Sequence, residues 1–410
     1  MRLGVWKDGQ RIATLSETRN RMSLTYAPGA GRLGTPLVSV SMPVATAPYT
    51  DKVVRPYFSG LLPEGASRLV IAYDFGIDAA DDLKLLGVLG RDCAGALVVL
   101  PDNETPDDIK SADAIEQLDD DEIERRITAL PVHPLGVTGK IRASLPGVQS
   151  KLLLANVDGR WCSPDATHPS THVLKPGIPE LPHSVVNEAF CLNIAALAGL
   201  RAALTTVARF QSTSVLVSER YDRHQKADGT ISRLHQEDAC QALSIITRTP
   251  RQKYQSFGGP KLGDIARLLD QWGGDKRELL RQITFSVLVG NADQHGKNVS
   301  LLHGPDGVVA LAPIYDVMCT TYYDGTNDLR HLETELGLYI GSRTDILEVT
   351  VDDLVDEARG WGIRAGVALD LVTDLVERTG HAIEQVTQTL DFDVPAAIVR
   401  RIADRTMSFR

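Results

Sequence analysis

Paired cysteines, a surplus of basic residues and long apolar runs are all missing from this chain, and each absence removes a class of protein. The five cysteines, Cys93, Cys162, Cys191, Cys240 and Cys319, are an odd number, lie far apart and contain no Cys-x-x-Cys pair. Neither a disulfide framework nor a cysteine-built zinc site follows from that spacing, which suits a reducing compartment. The 43 Lys and Arg are outnumbered by 53 Asp and Glu, a formal net charge of −10. Gripping nucleic acid over a whole surface needs clustered cations facing phosphates, so only a local basic patch stays open. No run of about eighteen apolar residues occurs, and the start of the chain has no apolar stretch of signal-peptide length. The expectation is a soluble, cytoplasmic protein with no membrane partner.

What is present is the composition of an ordinary globular protein. The 410 residues, 43% hydrophobic and 23% charged, suffice for two or three domains and a sizeable core. Two short apolar segments around Asp8-Gly9 read as a hairpin, and Leu37-Val38-Ser39-Val40-Ser41-Met42 alternates like a half-buried strand. Tyr57-Phe58-Ser59-Gly60-Leu61-Leu62-Pro63 leads into a helical pattern through Ala72, and Ala94 to Leu100 reads as a buried strand. Residues 1–101 are therefore expected to form a β-rich subdomain. Across residues 102–124 eleven acids face one lysine, so residues 102–130 read as an acidic linker with a short amphipathic helix over 114–130. Strands are expected at 152–155, 171–176 and 214–219, and a helix from an N-cap at Ser184 to a stop at Gly199. Helical periods over 237–246, 262–272, 276–289 and 351–407, broken at Trp361-Gly362 and Asp393-Val394-Pro395, make the last part, 224–410, α-rich.

Within that frame lies a chemical spacing. Asp293 and Asn298 stand five residues apart, and Asp316 follows an apolar run. One acid can orient an attacking hydroxyl, while an amide and a second acid can hold magnesium on nucleotide phosphates. Upstream, Ser144-Leu145-Pro146-Gly147-Val148-Gln149-Ser150-Lys151 has the outline of a phosphate-cradling loop, although a Pro-Gly turn gives the same residues. Lys175 ends a strand and Glu188 lies on the following helix, the order in which protein kinases place a phosphate-binding lysine and its glutamate; a surface lysine and glutamate is the other reading of either residue alone. The strand that turns polar at Glu219 falls where an interlobe hinge would. The polar loop over 320–327 could face substrate or act as an activation loop. Taken together, the parts come in the order of a kinase: residues 131–223 as a small lobe with phosphate loop and hinge, and residues 224–410 as an α-helical lobe with catalytic and metal loops.

The chain also resembles the HipA-type serine/threonine kinases, toxins of bacterial toxin-antitoxin pairs. The resemblance covers nearly the whole chain and rests on Leu61-Leu62-Pro63, Gly90-Arg91-Asp92-Cys93-Ala94-Gly95-Ala96, the loop from Ser144 to Lys151, Thr171-His172-Val173-Leu174-Lys175, Asn187-Glu188, Glu219-Arg220-Tyr221-Asp222-Arg223, Gln236-Glu237-Asp238, Gly290-Asn291-Ala292-Asp293-Gln294-His295-Gly296-Lys297-Asn298 and Pro313-Ile314-Tyr315-Asp316. It implies an α+β, protein-kinase-like two-lobed fold with a small β-rich N-terminal subdomain and a large α-helical C-terminal lobe. It implies ATP and Mg²⁺ as cofactors, Asp293 as catalytic base, and Asn298 and Asp316 as metal ligands. Pro146, Gly147, Val148, Gln149, Ser150 and Lys151 would form the phosphate loop and Lys175 would bind phosphates. Glu219, Arg220 and Tyr221 would meet the adenine, and His295, Lys297 and Tyr315 would neighbour the nucleotide. Ser144 matches the residue that the family autophosphorylates. Family toxins phosphorylate an aminoacyl-tRNA synthetase, often the glutamyl enzyme, and pair with a small helix-turn-helix antitoxin of HipB type that carries most of the contact with operator DNA. Asn291-Ala292-Asp293 replaces the His-Arg-Asp of common protein kinases, and Tyr315-Asp316-Val317 replaces Asp-Phe-Gly. Pro146-Gly147-Val148 stands where members often have Ala-Gly-Ala, a difference that would stiffen the loop. Two rivals stay open: a kinase of small molecules, and a catalytically silent subunit that only binds antitoxin and DNA.

Overall fold

The computed structural model describes residues 1–106, 115–136, 143–165, 167–304, 307–324 and 334–410. The Asp8-Gly9 pair turns the chain as expected. Both residues have positive φ, 50° and 75°, as a tight hairpin loop requires, and they join β1 (Arg2–Lys7) to β2 (Gln10–Thr18) with Lys7 opposite Gln10. β3 (Arg21–Tyr26) and β4 (Tyr49–Thr50) extend this antiparallel sheet. The helices α1 (Asp51–Ser59), α2 (Gly65–Asp74) and α3 (Asp82–Leu89) follow, and β5 (Val98–Pro101) pairs with β1 to give the order β4-β3-β2-β1-β5. Leu3, Leu15, Leu24 and Phe58 share a buried core with Leu135 and Leu153, so this sheet is packed against chain from beyond the acidic segment.

The alternation at 37–42 forms only one bridge, Ser39 with Met42, and not the strand that its pattern predicts. Its polar groups are taken up by the second half of the chain. Val40 N–H donates to Glu237 Oε1 at 2.8 Å, Ser39 Oγ donates to Glu237 Oε2 at 2.5 Å, and His235 Nε2 lies 2.9 Å from Val38 O.

After α4 (Asp120–Thr128), capped by Asp119, a second sheet is built from β6 (Leu152–Val157), β7 (Arg160–Cys162), β8 (His172–Pro176), β9 (Thr205–Phe210) and β10 (Thr213–Glu219). Its order is β7-β6-β8-β10-β9, which puts β8 in the middle. The helix α5 (Ser184–Leu197) leaves β8 and packs on β9 and β10. Ser184 is its first residue and not its N-cap. His183 holds that place at φ 66°, and Ser184 Oγ instead accepts from Ile178 N–H at 2.9 Å. Residues 107–114, including the expected start of the amphipathic helix, lie outside the described residues.

The remainder is mainly helical. β11 (Arg223–Gln225) and β12 (Ile231–Arg233) form a hairpin before β13 (Gln236–Asp238). The helix expected over 237–246 shrinks to α6 (Ala239–Ala242), because β13 pairs with a later strand and Asp238 caps the turn reciprocally with Gln241. Then come α7 (Leu262–Gln271), α8 (Lys276–Leu288), β14 (Ser300–His303), β15 (Val309–Leu311) and the hairpin of β16 (Glu335–Ile340) with β17 (Arg343–Asp345). The chain closes with α9 (Val351–Gly360), α10 (Ala365–Thr389) and α11 (Ala396–Met407), broken where the glycine and proline signals put the breaks. The long α10 packs against α5, α8, α9 and α11 and so ties the small sheet's helix to the large lobe. The polar loop expected at 320–327 begins as a 3-10 turn, Thr320–Tyr323, and residues 325–327 lie outside the described residues. All five cysteines are buried free thiols, and among the described residues no helix is long and apolar enough to cross a membrane.

Candidate active site

The middle strand β8 delivers Lys175 to the cleft between the second sheet and the helical part. Its ammonium donates to Glu188 Oε1 on α5 and to Asp316 Oδ1, each at 2.7 Å. Glu188 is buried, and burial raises its carboxyl pKa. Burial alone would also raise Asp316, but Lys175 outweighs it and holds that carboxyl well below the usual range, so Asp316 is ionised. The same two acids overcome the burial penalty on Lys175 and raise its pKa. Asp316 has φ 58°, a left-handed conformation uncommon outside glycine and a frequent mark of a constrained site.

The acid stretch begins where α8 stops. Gly290 has φ 72°, and a Cβ there would run into the Thr321 side chain, so glycine is required at this exit. In the loop that follows, Asn298 Nδ2 donates to Asp293 O at 3.0 Å, so of its amide atoms the oxygen is the one that could take a cation. Gln294 braces the loop from behind, donating to Asn298 O at 3.0 Å and accepting from Ser286 Oγ at 3.2 Å. The half-buried Asp293 carboxylate accepts from Tyr254 OH at 2.5 Å. Burial pushes its pKa up to about 6, against the opposing pull of Lys253 and of the Tyr254 hydrogen bond. His295 is buried, with Nδ1 unpartnered among the described residues, and burial followed by Lys253 holds it far below its ordinary value, so it is neutral. Lys297 is also buried, but it is committed: Nζ donates to Asp238 Oδ2 at 2.6 Å and to Gly60 O at 3.2 Å. Tyr315 OH donates to Lys297 O at 2.6 Å, and its ring lies against Tyr221 with centroids 5.6 Å apart.

The loop over 144–151 folds on itself. Lys151 Nζ donates to Pro146 O at 2.8 Å, Gly147 has φ 117°, and Gln149 Nε2 donates to Pro176 O at 3.4 Å beside β8. Val148 is exposed and Ser150 half-buried. Desolvation, then repulsion from Lys175, lowers the Lys151 pKa to about 8, which keeps it a cation at neutral pH but a loosely held one. Ser144 is fully buried, with Oγ donating to Leu61 O at 2.6 Å.

A model of the HipA N-terminal domain matches residues 3–100, and one of the HipA-like C-terminal domain matches residues 143–388. The chain belongs to the HipA family. The protein named "Putative kinase Y4mE" of Sinorhizobium fredii is 36% identical over 98% of this chain and 96% of its own length. The serine/threonine-protein kinase toxin HipA of Shewanella oneidensis is 26% identical over 82% of this chain and 78% of its own. The solved HipA of that organism, in a complex with HipB and operator DNA, superposes with a TM-score of 0.84 at 22% identity, covering 99% of this chain and 97% of that one. The two-lobed, kinase-like α+β fold expected from the sequence is thereby borne out.

In this HipA-family chain the hinge motif divides. Glu219 lies exposed at the end of β10, and Tyr221 OH donates to Gln236 Oε1 at 2.5 Å. The Arg220 guanidinium points elsewhere, into a buried network. It donates twice to Asp222, at 3.0 and 2.9 Å, once to Ser170 Oγ at 2.7 Å and once to Cys93 O at 3.0 Å. Arg223 completes the network by pairing with Asp92 at 2.8 Å and with Asp222 at 3.0 Å. The Arg220 backbone is engaged as well, its N–H donating to Thr171 O at 2.8 Å and its carbonyl accepting from Arg223 N–H at 3.0 Å, so the structure ties this residue into the protein and not toward an adenine. Sequence reasoning quoted Asp92, Asp222 and Arg223 inside motifs but gave them no role. It missed Lys253, Tyr254 and Glu64 altogether, because none of them lies in a periodic segment or a recognisable spacing.

Proposed function

We propose that the chain is an ATP- and Mg²⁺-dependent serine/threonine protein kinase, the toxin of a toxin-antitoxin pair, that phosphorylates an aminoacyl-tRNA synthetase and autophosphorylates at Ser144. The observation that carries this reading is the Lys175–Glu188–Asp316 ion triad beside the Asp293–Asn298 loop, since it brings together a phosphate-binding lysine with its glutamate, a base and two oxygen ligands for a metal. Asp293, with a pKa near 6, is ionised at neutral pH yet basic enough to take a serine hydroxyl proton. Lys175 would hold ATP phosphates, and the positive φ of Gly147 lets backbone amides approach them. The donor set fits magnesium. An ionised Asp316 and the Asn298 amide oxygen are hard oxygen ligands, and Mg²⁺ normally takes only one or two protein groups beside phosphates and water. Among the described residues no cluster of three or more His, Cys, Asp or Glu could hold a metal by itself, so the phosphates would have to complete the shell. Asp316 and Asn298 would hold the metal, which would supply neutralisation of phosphate charge, and Lys175 would keep its bond to Glu188 while sharing Asp316 with the metal.

The partner we infer is an antitoxin of HipB type, with operator DNA contacted mainly through it. The net charge of −10 supports that division. A phosphate on Ser144 could not keep the buried bond to Leu61 O, so modification would have to accompany displacement of the loop. The test is mass spectrometry of the full chain after incubation with Mg²⁺ and γ-labelled ATP, alone and with a panel of synthetases. Phosphate on Ser144 and on one synthetase, both lost in Asp293→Gln, is the expected result. Label confined to small hydroxylated compounds, or unchanged in Asp293→Gln, would refute the reading.

A further inference from the structure

The transferred phosphoryl group carries its negative charge on three oxygens as it passes from donor to acceptor, and the site must offer a cation next to the base to meet it. The side chains nearest the catalytic loop do not. His295 is neutral, and Lys297 is tied to Asp238 and Gly60. Lys175, between two acids at 2.7 Å, is assigned above to the phosphates of bound ATP and not to the base.

Lys253 is different. Its backbone is fastened to the catalytic loop, with Gly296 N–H donating to Lys253 O at 3.0 Å. Gly259 packs so closely over that carbonyl that a Cβ there would lie 2.6 Å from it. The next residue, Tyr254, bonds the base Asp293 through its hydroxyl and sets its ring edge-on to His295, centroids 4.9 Å apart. The Lys253 ammonium is held near this point, 5.7 Å from the Tyr254 ring centroid. Its acidic partner is distant for an ion pair: Glu64 Oε2, 3.9 Å away. Glu64 itself, from the N-terminal subdomain, is buried, and neither carboxylate oxygen has a hydrogen-bond partner among the described residues; the second lies 3.8 Å from Lys297 Nζ. Lys297 is already paired with Asp238, so Glu64, at 3.8–3.9 Å from both lysines, offsets the charge of Lys253 without a hydrogen bond that would fix its position.

We propose that Lys253 is a catalytic residue, whose ammonium, held ready by Glu64 and by the turn that carries Tyr254, binds the phosphoryl group during transfer. In that step the substrate serine Oγ bonds to the γ-phosphorus, and the bond from that phosphorus to the β–γ bridging oxygen breaks with its electron pair going to ADP. The serine proton passes to Asp293 once the hydroxyl has displaced Tyr254 OH. Lys253 gains and loses no proton. The assignment rests on the kinase reading above and adds to it a residue outside the catalytic loop.

The test compares the full chain with Lys253→Met and Lys253→Arg, measuring phosphate transfer from γ-labelled ATP with Mg²⁺, and ATP binding by titration with a fluorescent ATP analogue. Loss of one charge-stabilising group should lower kcat by ~100- to 1000-fold in Lys253→Met. ATP affinity should stay within about 3-fold, because the contact is made mainly in the transition state. Lys253→Arg, which keeps the charge, should recover at least about a tenth of the lost rate. Should Lys253→Met fail to fold, Lys253→Gln replaces it as a neutral chain of similar length. A neutral variant that keeps kcat within about 3-fold, or an Arg variant as inactive as the neutral one, would overturn the proposal while wild-type transfer upheld the kinase reading. No transfer by the wild-type chain would overturn both.

Discussion

Replacing Arg220 by Met separates a nucleotide contact from a structural clamp. The guanidinium is about as buried as a side chain can be, 3% exposed, and all its hydrogen bonds go to protein: Asp222 twice, Ser170 and Cys93 O. Asp92 lies a further 3.6 Å away as an ion partner. Arg220 and Arg223 face Asp92 and Asp222 as two cations against two acids, with Arg233 a marginal third at 3.9 Å. Arg220→Met leaves both acids buried with one close cation. Removing one member of a buried pair costs about 3–5 kcal/mol, far more than the pair contributes relative to an apolar replacement, because the remaining charge is stranded. Denaturant unfolding of the variant should therefore show a loss of that size, and adding Asp222→Asn should restore part of it, with a coupling of about 0.5–3 kcal/mol. Under conditions where the variant stays folded, ATP affinity should change by less than about 3-fold. A stability loss below about 1 kcal/mol, or a tenfold drop in ATP affinity with stability intact, would show that the guanidinium serves the nucleotide and not the clamp.

Two further outcomes follow from the site itself. Asp293 must be ionised to accept a proton, so kcat/KM should rise with pH through about 6 and fall roughly tenfold per unit below it; Tyr254→Phe removes a hydrogen bond that lowers this pKa and should move the limb to higher pH, and a limb that stays in place would refute the contact. Gly147→Ala forces a side chain onto φ 117° and sets a Cβ 2.6 Å from Lys151 Nζ, so it should cost roughly 1–3 kcal/mol of loop strain, breaking the Lys151 to Pro146 bond and weakening ATP binding in a titration; unchanged affinity would remove this loop from the nucleotide site.

How much of this could be read in advance depended on whether the partners of a residue were local. Asp293 and Asn298 belong to one loop, and Lys175 and Glu188 to one strand–helix step, so their spacing and order already carried their geometry. The strand expected at 37–42 failed for the opposite reason: its alternation was real, but Glu237 and His235, some two hundred residues away, took its polar groups. Tyr254 reaches Asp293 across 39 residues from a segment of short 3-10 turns, where no period exists to be read. The charged motif at 219–223 illustrates the general difficulty. Arg and Asp in a row suggest solvent or ligand, because isolated charges are costly to bury. Here they are buried because an oppositely charged residue, Asp92, arrives from 131 residues away on the N-terminal subdomain and meets Arg223 at 2.8 Å. A specific motif in which two arginines face one local acid, Asp222, is thus better read as awaiting a second acid from another part of the chain. On that reading Gly90-Arg91-Asp92-Cys93 and Arg220-Tyr221-Asp222-Arg223 would have predicted the seam between the N-terminal subdomain and the hinge from sequence alone.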